Sequence, residues 1–265
     1  MISFIFMLLM LGAAILYYSQ NKKKEKERIL EEPFSEDWAS FLQDSVTYYR
    51  ALSEENQQVF QKWIKLFLYE NKITPVGVEI TDEHRLLVAS SAIIPVFSFP
   101  YYTYPNLDEV LIYPDSFDFE YNIEGPNRSI LGMVGTGVMD GKMILSKKAL
   151  EHGFWNDNDK RNVGIHEFIH LIDKQDGAID GVPSLLLDNK VSLPWLELIK
   201  EKTEKIIKGK SDIDDYAATN KAEFLSVMGE YFFESPEVMK KKHPEVYQQL
   251  SEMFKQEPKL KKVKK

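Results

Sequence analysis

Two histidines and a glutamate stand close together in the second half of this 265-residue chain. His166, Glu167 and His170 form the pattern His-Glu-x-x-His. On an α-helix, residues at this spacing lie one turn apart on the same face, so both imidazoles can reach one ion. Zinc accepts such a pair of nitrogen ligands, and the glutamate beside them is placed to take a proton from a metal-activated water. The pattern therefore predicts a zinc site with Glu167 as general base.

The helix that must carry this pattern is predicted over residues 160–174. Polar residues at 156–159 can cap its start, and Gly177 followed by Gly181-Val182-Pro183 ends it. A catalytic zinc needs a third protein ligand and an open fourth position for water. The chain has no cysteine, so thiolate ligands and disulfides are both excluded.

The third ligand must come from outside this helix. In the metzincin arrangement a glycine and a third histidine follow the motif, but those positions hold Asp173 and Asp176 here. The next histidine, His243, stands beside a proline in a lysine-rich segment and is a poor candidate. We therefore expect a carboxylate to complete the site.

Two glutamates lie on one face of an apolar helix predicted over residues 216–233. Glu223 and Glu230 stand seven residues apart, or two helical turns. A carboxylate on such a helix has either a partner or an edge that faces solvent. Spacing alone therefore leaves Glu223 open between a metal ligand and an exposed acid, and Glu230 open between a structural residue and an outer partner of the site. Asp173, one turn past His170, is a second possible outer partner for a ligand imidazole.

A glycine-rich stretch, Leu131 to Gly137, precedes the motif. It is followed by an Asp-Gly turn at Asp140 and by alternating residues at 142–146. This pattern predicts a β-hairpin or an exposed edge strand. We expect the segment from Met143 to Ser146 to form that edge and to align an extended substrate by strand addition.

The composition of the chain argues against a nucleic-acid partner. The chain is 44% hydrophobic and 12% aromatic, enough for one sizeable core. Its formal charge is −8, and the part between the two basic ends is more acidic still. Such a body will not bind nucleic acid non-specifically, so we expect no nucleic-acid partner.

The N-terminus is almost entirely apolar from Met1 to Tyr18, and lysines follow from Lys22. As a helix this stretch would reach about 27 Å, close to the thickness of a membrane core. The stretch therefore predicts a transmembrane anchor over residues 1–20. Because the basic residues follow it, the positive-inside rule predicts a single-pass protein of the inner membrane with its domain in the cytoplasm. A cleaved signal peptide is the alternative, but its basic start is missing. A charged linker (21–33), a metallopeptidase domain (34–254) and a basic tail (255–265) complete the predicted organisation.

Longer strings of sequence resemble the Mlc titration factor A family of zinc metallopeptidases. The likeness spans roughly Trp38 to Phe254 and is carried by His-Glu-Phe-x-His-x-x-Asp, by Asp-Gly-Val-Pro, by residues 214–224 and by Gly-Glu-Tyr-Phe-Phe at 229–233. The resemblance implies an α+β, gluzincin-like fold, mostly helical with a small sheet. It also implies one zinc ion held by His166, His170 and Glu223, with catalysis by Glu167 and Tyr216.

Individual residues keep a second interpretation beside the one implied by the resemblance. Tyr216 either packs in the core or donates a hydrogen bond to a developing oxyanion. Two positions depart from the family pattern: Ile169 replaces an expected alanine, and Lys221 an expected proline. Neither change removes a predicted ligand.

Two functions follow as hypotheses. The first is a zinc-dependent peptidase, anchored in the membrane and facing the cytoplasm, which hydrolyses peptide or protein substrates with Glu167 as general base. The alternative is a zinc-stabilised binding module that sequesters a regulatory protein partner and hydrolyses only weakly.

Overall fold

The computed structural model describes residues 2–100, 102–156, 159–183, 186 and 189–259, and at 2–6, 8–9 and 189–192 it describes the backbone alone. The described chain is mostly helical with one small sheet, as expected. In chain order its helices are α1 (Ile2–Glu31), α2 (Glu36–Ser45), α3 (Thr47–Ala51), α4 (Glu54–Glu70), α5 (Asp82–Val96), α6 (Lys147–Trp155), α7 (Val163–Asp173), α8 (Asn189–Ile207), α9 (Lys221–Glu234), α10 (Pro236–Lys242) and α11 (Pro244–Phe254). The strands are β1 (Lys72–Pro75), β2 (Leu107–Tyr113), β3 (Gly132–Val134) and β4 (Gly141–Ser146).

The N-terminal prediction is corrected by α1. Much of the predicted span, namely Met1 and the side chains at 2–6 and 8–9, lies outside the described residues. Within the part of the chain that the structure describes, no helix is long and apolar enough to cross a membrane. The predicted transmembrane anchor over residues 1–20 is therefore wrong, and so is the predicted single-pass location in the inner membrane.

Beyond Tyr18, α1 continues without a break into a charged half that packs on α4. Lys26 of α1 forms an ion pair with Glu70, the last residue of α4. Near the end of α1, the ammonium of Lys65 donates to the carbonyl oxygen of Leu30 at 3.2 Å. The apolar and charged parts of the N-terminal segment thus form one helix.

The sheet has the strand order β1-β2-β4-β3. β1, β2 and β4 run parallel, and β3 pairs antiparallel with β4 through Met133 opposite Ile144. The predicted hairpin is therefore present as β3–β4. The expectation that Met143 to Ser146 forms the edge is wrong, because β4 has β2 on one side and β3 on the other. In the described sheet the edge strands are β1 and β3.

Three helices form the centre of the core. α7 is buried throughout from Gly164 to Asp173, and α5 and α9 are buried along almost their whole lengths. Phe168 of α7 packs against the rings of Phe67 and Tyr104, at centroid distances of 5.6 and 5.0 Å. The His-Glu-x-x-His pattern therefore lies on a buried helix at the centre of the core.

Two asparagines define where α7 and α9 begin. Asn162 caps α7, its side-chain oxygen accepting the backbone N–H of Ile165 at 3.1 Å. Asn220 caps α9 in the same way, accepting the N–H of Glu223 at 2.9 Å. Because Asn220 is extended, α9 starts at Lys221 rather than at residue 216 as predicted. The residues from 215 to 218 form a separate 3-10 turn.

Candidate metal centre

The two motif histidines lie one turn apart on the buried face of α7. Their rings meet edge to face with centroids 4.8 Å apart, and their Nε2 atoms are 3.1 Å apart. Both side chains are almost fully buried. Helical spacing alone accounts for this approach, as the sequence predicted.

Glu223 reaches the same point from the first turn of α9. Its Oε2 lies 3.0 Å from Nε2 of His166 and 3.3 Å from Nε2 of His170. The three atoms form a triangle, here called the donor triangle, with sides of 3.0–3.3 Å. Ligands at about 2.0–2.1 Å from a tetrahedral zinc stand about 3.3 Å from one another. The donor triangle therefore fits one zinc ion in size and in the chemistry of its atoms. Among the residues that the structure describes, these three side chains are the group that could hold a metal ion.

Glu230 binds the opposite nitrogen of His166. Its Oε1 lies 2.7 Å from Nδ1 of His166, and its Oε2 accepts the backbone N–H of Asn162 at 2.6 Å. A carboxylate on one imidazole nitrogen fixes the proton there and leaves the lone pair of the other nitrogen free for a metal. Of the two interpretations left open for Glu230, the geometry matches the outer partner of the site.

The carboxylates also control the charge of the metal-free site. Burial lowers the pKa of His166, but the carboxylates of Glu230 and Glu223 outweigh it and raise this pKa well above its usual value. For Glu223 burial raises the pKa, and the bonds from His166 and His170 outweigh it, so that the pKa falls well below its usual range. Without a metal, these shifts favour a protonated His166 beside an ionised Glu223.

Glu167 lies beside the donor triangle and is packed rather than hydrogen-bonded in place. Burial raises its pKa above the usual value, and the nearby His166 and His170 oppose that rise. Its side chain rests on the Cα of Gly132 in the edge strand β3. A Cβ at residue 132 would lie 2.6 Å from Oε1 and 2.7 Å from Cγ of Glu167, and 2.8 Å from Cγ2 of Val163. The sequence marks this stretch as glycine-rich, but no local pattern predicts the role of Gly132.

Tyr216 stands at the open side of the site, in the 3-10 turn before α9. Its side chain is 53% exposed, and its ring centroid is 6.0 Å from that of His166. Partial burial, followed by the carboxylates of Glu223 and Glu167, raises the pKa of Tyr216 to about 12, so the phenol keeps its proton at neutral pH. The turn is held by Asp214, which accepts the N–H of Tyr216 and pairs with Arg161 just before α7. Core packing, the other interpretation of Tyr216, does not agree with this exposure.

The remaining candidates lie away from the donor triangle. Asp173 does not bind an imidazole; its Oδ2 accepts the backbone N–H of Gly181 at 2.8 Å, and burial raises its pKa to about 6. His243 bonds to Asp212 at 2.8 Å.

A cleft of about 300 Å³ opens beside His170 and Glu223, and Ile179 and Lys221 are among the residues that line it.

Comparison with known proteins agrees with the resemblance seen in the sequence. An uncharacterized protein of Synechocystis sp. is 29% identical over 247 residues, covering 88% of each chain. The Mlc titration factor A of Cronobacter sakazakii is 28% identical, covering 79% of this chain and 82% of its own, and that of Escherichia coli is 26% identical, covering 81% and 84%. The model of one family, described as the glucose-regulated metallo-peptidase M90, matches residues 19–255. The chain belongs to this metallopeptidase family.

Proposed function

We propose that this protein is a zinc-dependent peptidase in which His166, His170 and Glu223 hold one zinc ion. The observation that carries the proposal is the donor triangle, whose sides of 3.0–3.3 Å match the edges of a tetrahedral zinc site. An ion held there supplies Lewis acidity and lowers the pKa of water toward ~7. Family membership supports the same chemistry, since the family is one of metallopeptidases.

The chain's own residues supply the proton transfers. Glu167 accepts a proton from the water as the water oxygen attacks the peptide carbonyl carbon. It then gives that proton to the leaving nitrogen as the C–N bond breaks. Its pKa, which burial raises above the usual value, favours this double role, because a carboxylate with a raised pKa is the stronger base. Tyr216, protonated at neutral pH, donates a hydrogen bond to the oxyanion.

The edge strand β3 gives the substrate its direction. An extended peptide that pairs with the outer side of Gly132–Val134 extends the sheet by one strand. Such a peptide passes next to Glu167, because that side chain rests on Gly132. The edge position of β3, rather than β4, is the feature that supports this arrangement.

The test compares wild-type protein with Glu167→Gln in zinc content and in the hydrolysis of peptide p-nitroanilides. We expect both proteins to bind one zinc ion and only the wild type to hydrolyse the substrate, since Gln cannot accept the proton. Unchanged hydrolysis by Glu167→Gln would contradict the role of the base. Failure of the wild type to bind zinc would contradict the whole proposal.

We propose as a second candidate that the protein binds a regulatory protein partner. The observation that favours it is the name shared by several relatives, Mlc titration factor A. Binding of a captured partner that survives Glu167→Gln, together with negligible turnover by the wild type, would favour this function over peptide hydrolysis. Loss of binding in that variant would favour the peptidase.

A further inference from the structure

Gly181 joins three helices at one point in the loop after α7. Its backbone N–H donates to Oδ2 of Asp173, in the last turn of α7, at 2.8 Å. Its carbonyl oxygen accepts the indole N–H of Trp195, on α8, at 2.7 Å. Its Cα lies against the backbone of Lys221, the first residue of α9. Gly181, Asp173, Trp195 and Lys221 are here called the Gly181 junction.

The contact with α9 is made by backbone alone. A Cβ on Gly181 would lie 2.2 Å from the carbonyl oxygen of Lys221 and 3.0 Å from the nitrogen of Ala222, and both atoms belong to the first turn of the helix. No side-chain rotation relieves such a contact, so the backbone of the loop or of the helix would have to move by about 1 Å. The φ of Gly181 is +77°, which also favours glycine.

The junction connects the two helices that form the donor triangle. Asp173 stands one turn beyond His170 on α7, and Lys221 stands two residues before Glu223 on α9. Asp173 is 1% exposed and Trp195 is fully buried, so both hydrogen bonds of the junction are shielded from water. Trp195 also packs on Phe224 of α9, with ring centroids 5.7 Å apart. The spacing of α7 and α9 is thus fixed at a point adjacent to the ligands.

We propose that Gly181 is a positioning residue that sets the distance between Glu223 and the His166–His170 pair, and thereby the affinity of the site for zinc. Metal sites tolerate errors of about 0.2 Å in ligand distance, far less than the displacement that a Cβ at residue 181 would impose. The inference rests on the proposed function, because it requires that the donor triangle holds zinc. It adds a residue that touches neither the metal nor the substrate.

The same loop offers a matched control. Gly177 also has a positive φ, of +101°, but a Cβ there meets no atom within 4 Å. Gly177→Ala therefore introduces backbone strain into this loop without pushing on α9. Gly181→Ala introduces strain together with the contact on Lys221.

The experiment measures the zinc dissociation constant of the full chain at 25 °C by competition with a chromophoric chelator, together with the unfolding temperature of the metal-free protein. We expect Gly181→Ala to weaken zinc binding at least tenfold, in the range of about 10–100-fold found when partners outside the ligand set are lost. Gly177→Ala should bind zinc within threefold of the wild type, although both variants unfold at lower temperature. A structural role alone would lower the unfolding temperature and leave zinc binding by the folded protein unchanged.

Two results overturn the inference while leaving the proposed function intact: wild-type zinc affinity in Gly181→Ala, or an equal loss in both glycine variants. A wild-type protein that binds no zinc contradicts the proposed function instead. If Gly181→Ala does not fold, Trp195→Phe decides, since it removes the indole donor to Gly181 and keeps an aromatic ring. A loss of zinc affinity of at least threefold in Trp195→Phe supports the inference, and unchanged affinity overturns it.

Discussion

Replacement of Glu230 by glutamine tests how the orientation of His166 is maintained. Glu230 is 7% exposed, and its two oxygens accept from two donors, Nδ1 of His166 at 2.7 Å and the backbone N–H of Asn162 at 2.6 Å. Glutamine has the same shape, but it offers one acceptor oxygen and one NH₂ group. One of the two donors must therefore face another donor in Glu230→Gln.

Either orientation of the new amide has a measurable cost. If the NH₂ group faces His166, Nδ1 must accept a hydrogen bond and therefore loses its proton. The proton then sits on Nε2, the nitrogen that would bind the metal. A hydrogen bond to a charged group contributes about 1.5–3 kcal/mol, which corresponds to roughly 10- to 150-fold in zinc affinity. If the NH₂ group faces Asn162 instead, the buried N–H at the start of α7 loses its acceptor. The cost of about 1–3 kcal/mol then lowers the unfolding temperature by about 2–4 °C per kcal/mol.

The assay measures both quantities on one preparation, zinc affinity by chelator competition and unfolding temperature of the metal-free protein by calorimetry. Glu234→Gln is the matched control, one turn along α9, where Oε1 accepts from the side chain of Asn162 at 3.1 Å. We expect the control to retain wild-type zinc affinity. If Glu230→Gln also retains wild-type zinc affinity and unfolding temperature, the account of His166 given above is refuted.

Three further results are expected. Zinc affinity, measured by chelator competition across a pH series, should be constant at high pH and fall tenfold per pH unit below the raised pKa of His166. Because this pKa lies above 6.5, a decline that starts only below pH 6.5 would contradict the shift. Tyr216→Phe should reduce kcat by about 10²–10³-fold, as the loss of an oxyanion donor does, with zinc content unchanged; an unaltered kcat would remove the tyrosine from the mechanism. Gly132→Ala should reduce kcat and spare zinc affinity, since the new methyl group meets Glu167 and not a ligand; steady-state kinetics with a parallel zinc titration separates the two effects.

The sequence predicted those parts of the site that depend on spacing within one helix. His166 and His170 meet because residues at that spacing share a helical face, and this holds whatever the rest of the fold does. Glu223 comes from a helix 53 residues further on, and its place in the site followed from the resemblance to a family rather than from periodicity. The contact of Glu223 with the histidines depends on how α9 packs on α7, which no local pattern encodes.

The wrong predictions have physical causes of the same kind. An apolar stretch followed by lysines is typical of a membrane anchor, yet α1 continues into a charged half that packs on α4, and no described helix is long and apolar enough to span a membrane. The alternating residues at 142–146 indicated a strand correctly but could not tell an edge from a central position, because pairing on both sides depends on β2 and β3. Gly132 and Gly181 lie in stretches that the sequence marks as a glycine-rich run and a turn, but the role of each glycine depends on the atoms packed on its Cα, which no local pattern encodes.

The seven-residue spacing of Glu223 and Glu230 acquires its meaning only in three dimensions. The two carboxylates approach the same ring from opposite sides, one at Nε2 and the other at Nδ1 of His166. One helix, α9, thus supplies both a corner of the donor triangle and the acceptor that orients another corner. Any shift of α9 along or away from α7 alters both contacts together. A substitution that spares all three donor residues is therefore expected to distort the triangle if it changes the spacing of these two helices, as we propose for a methyl group at Gly181.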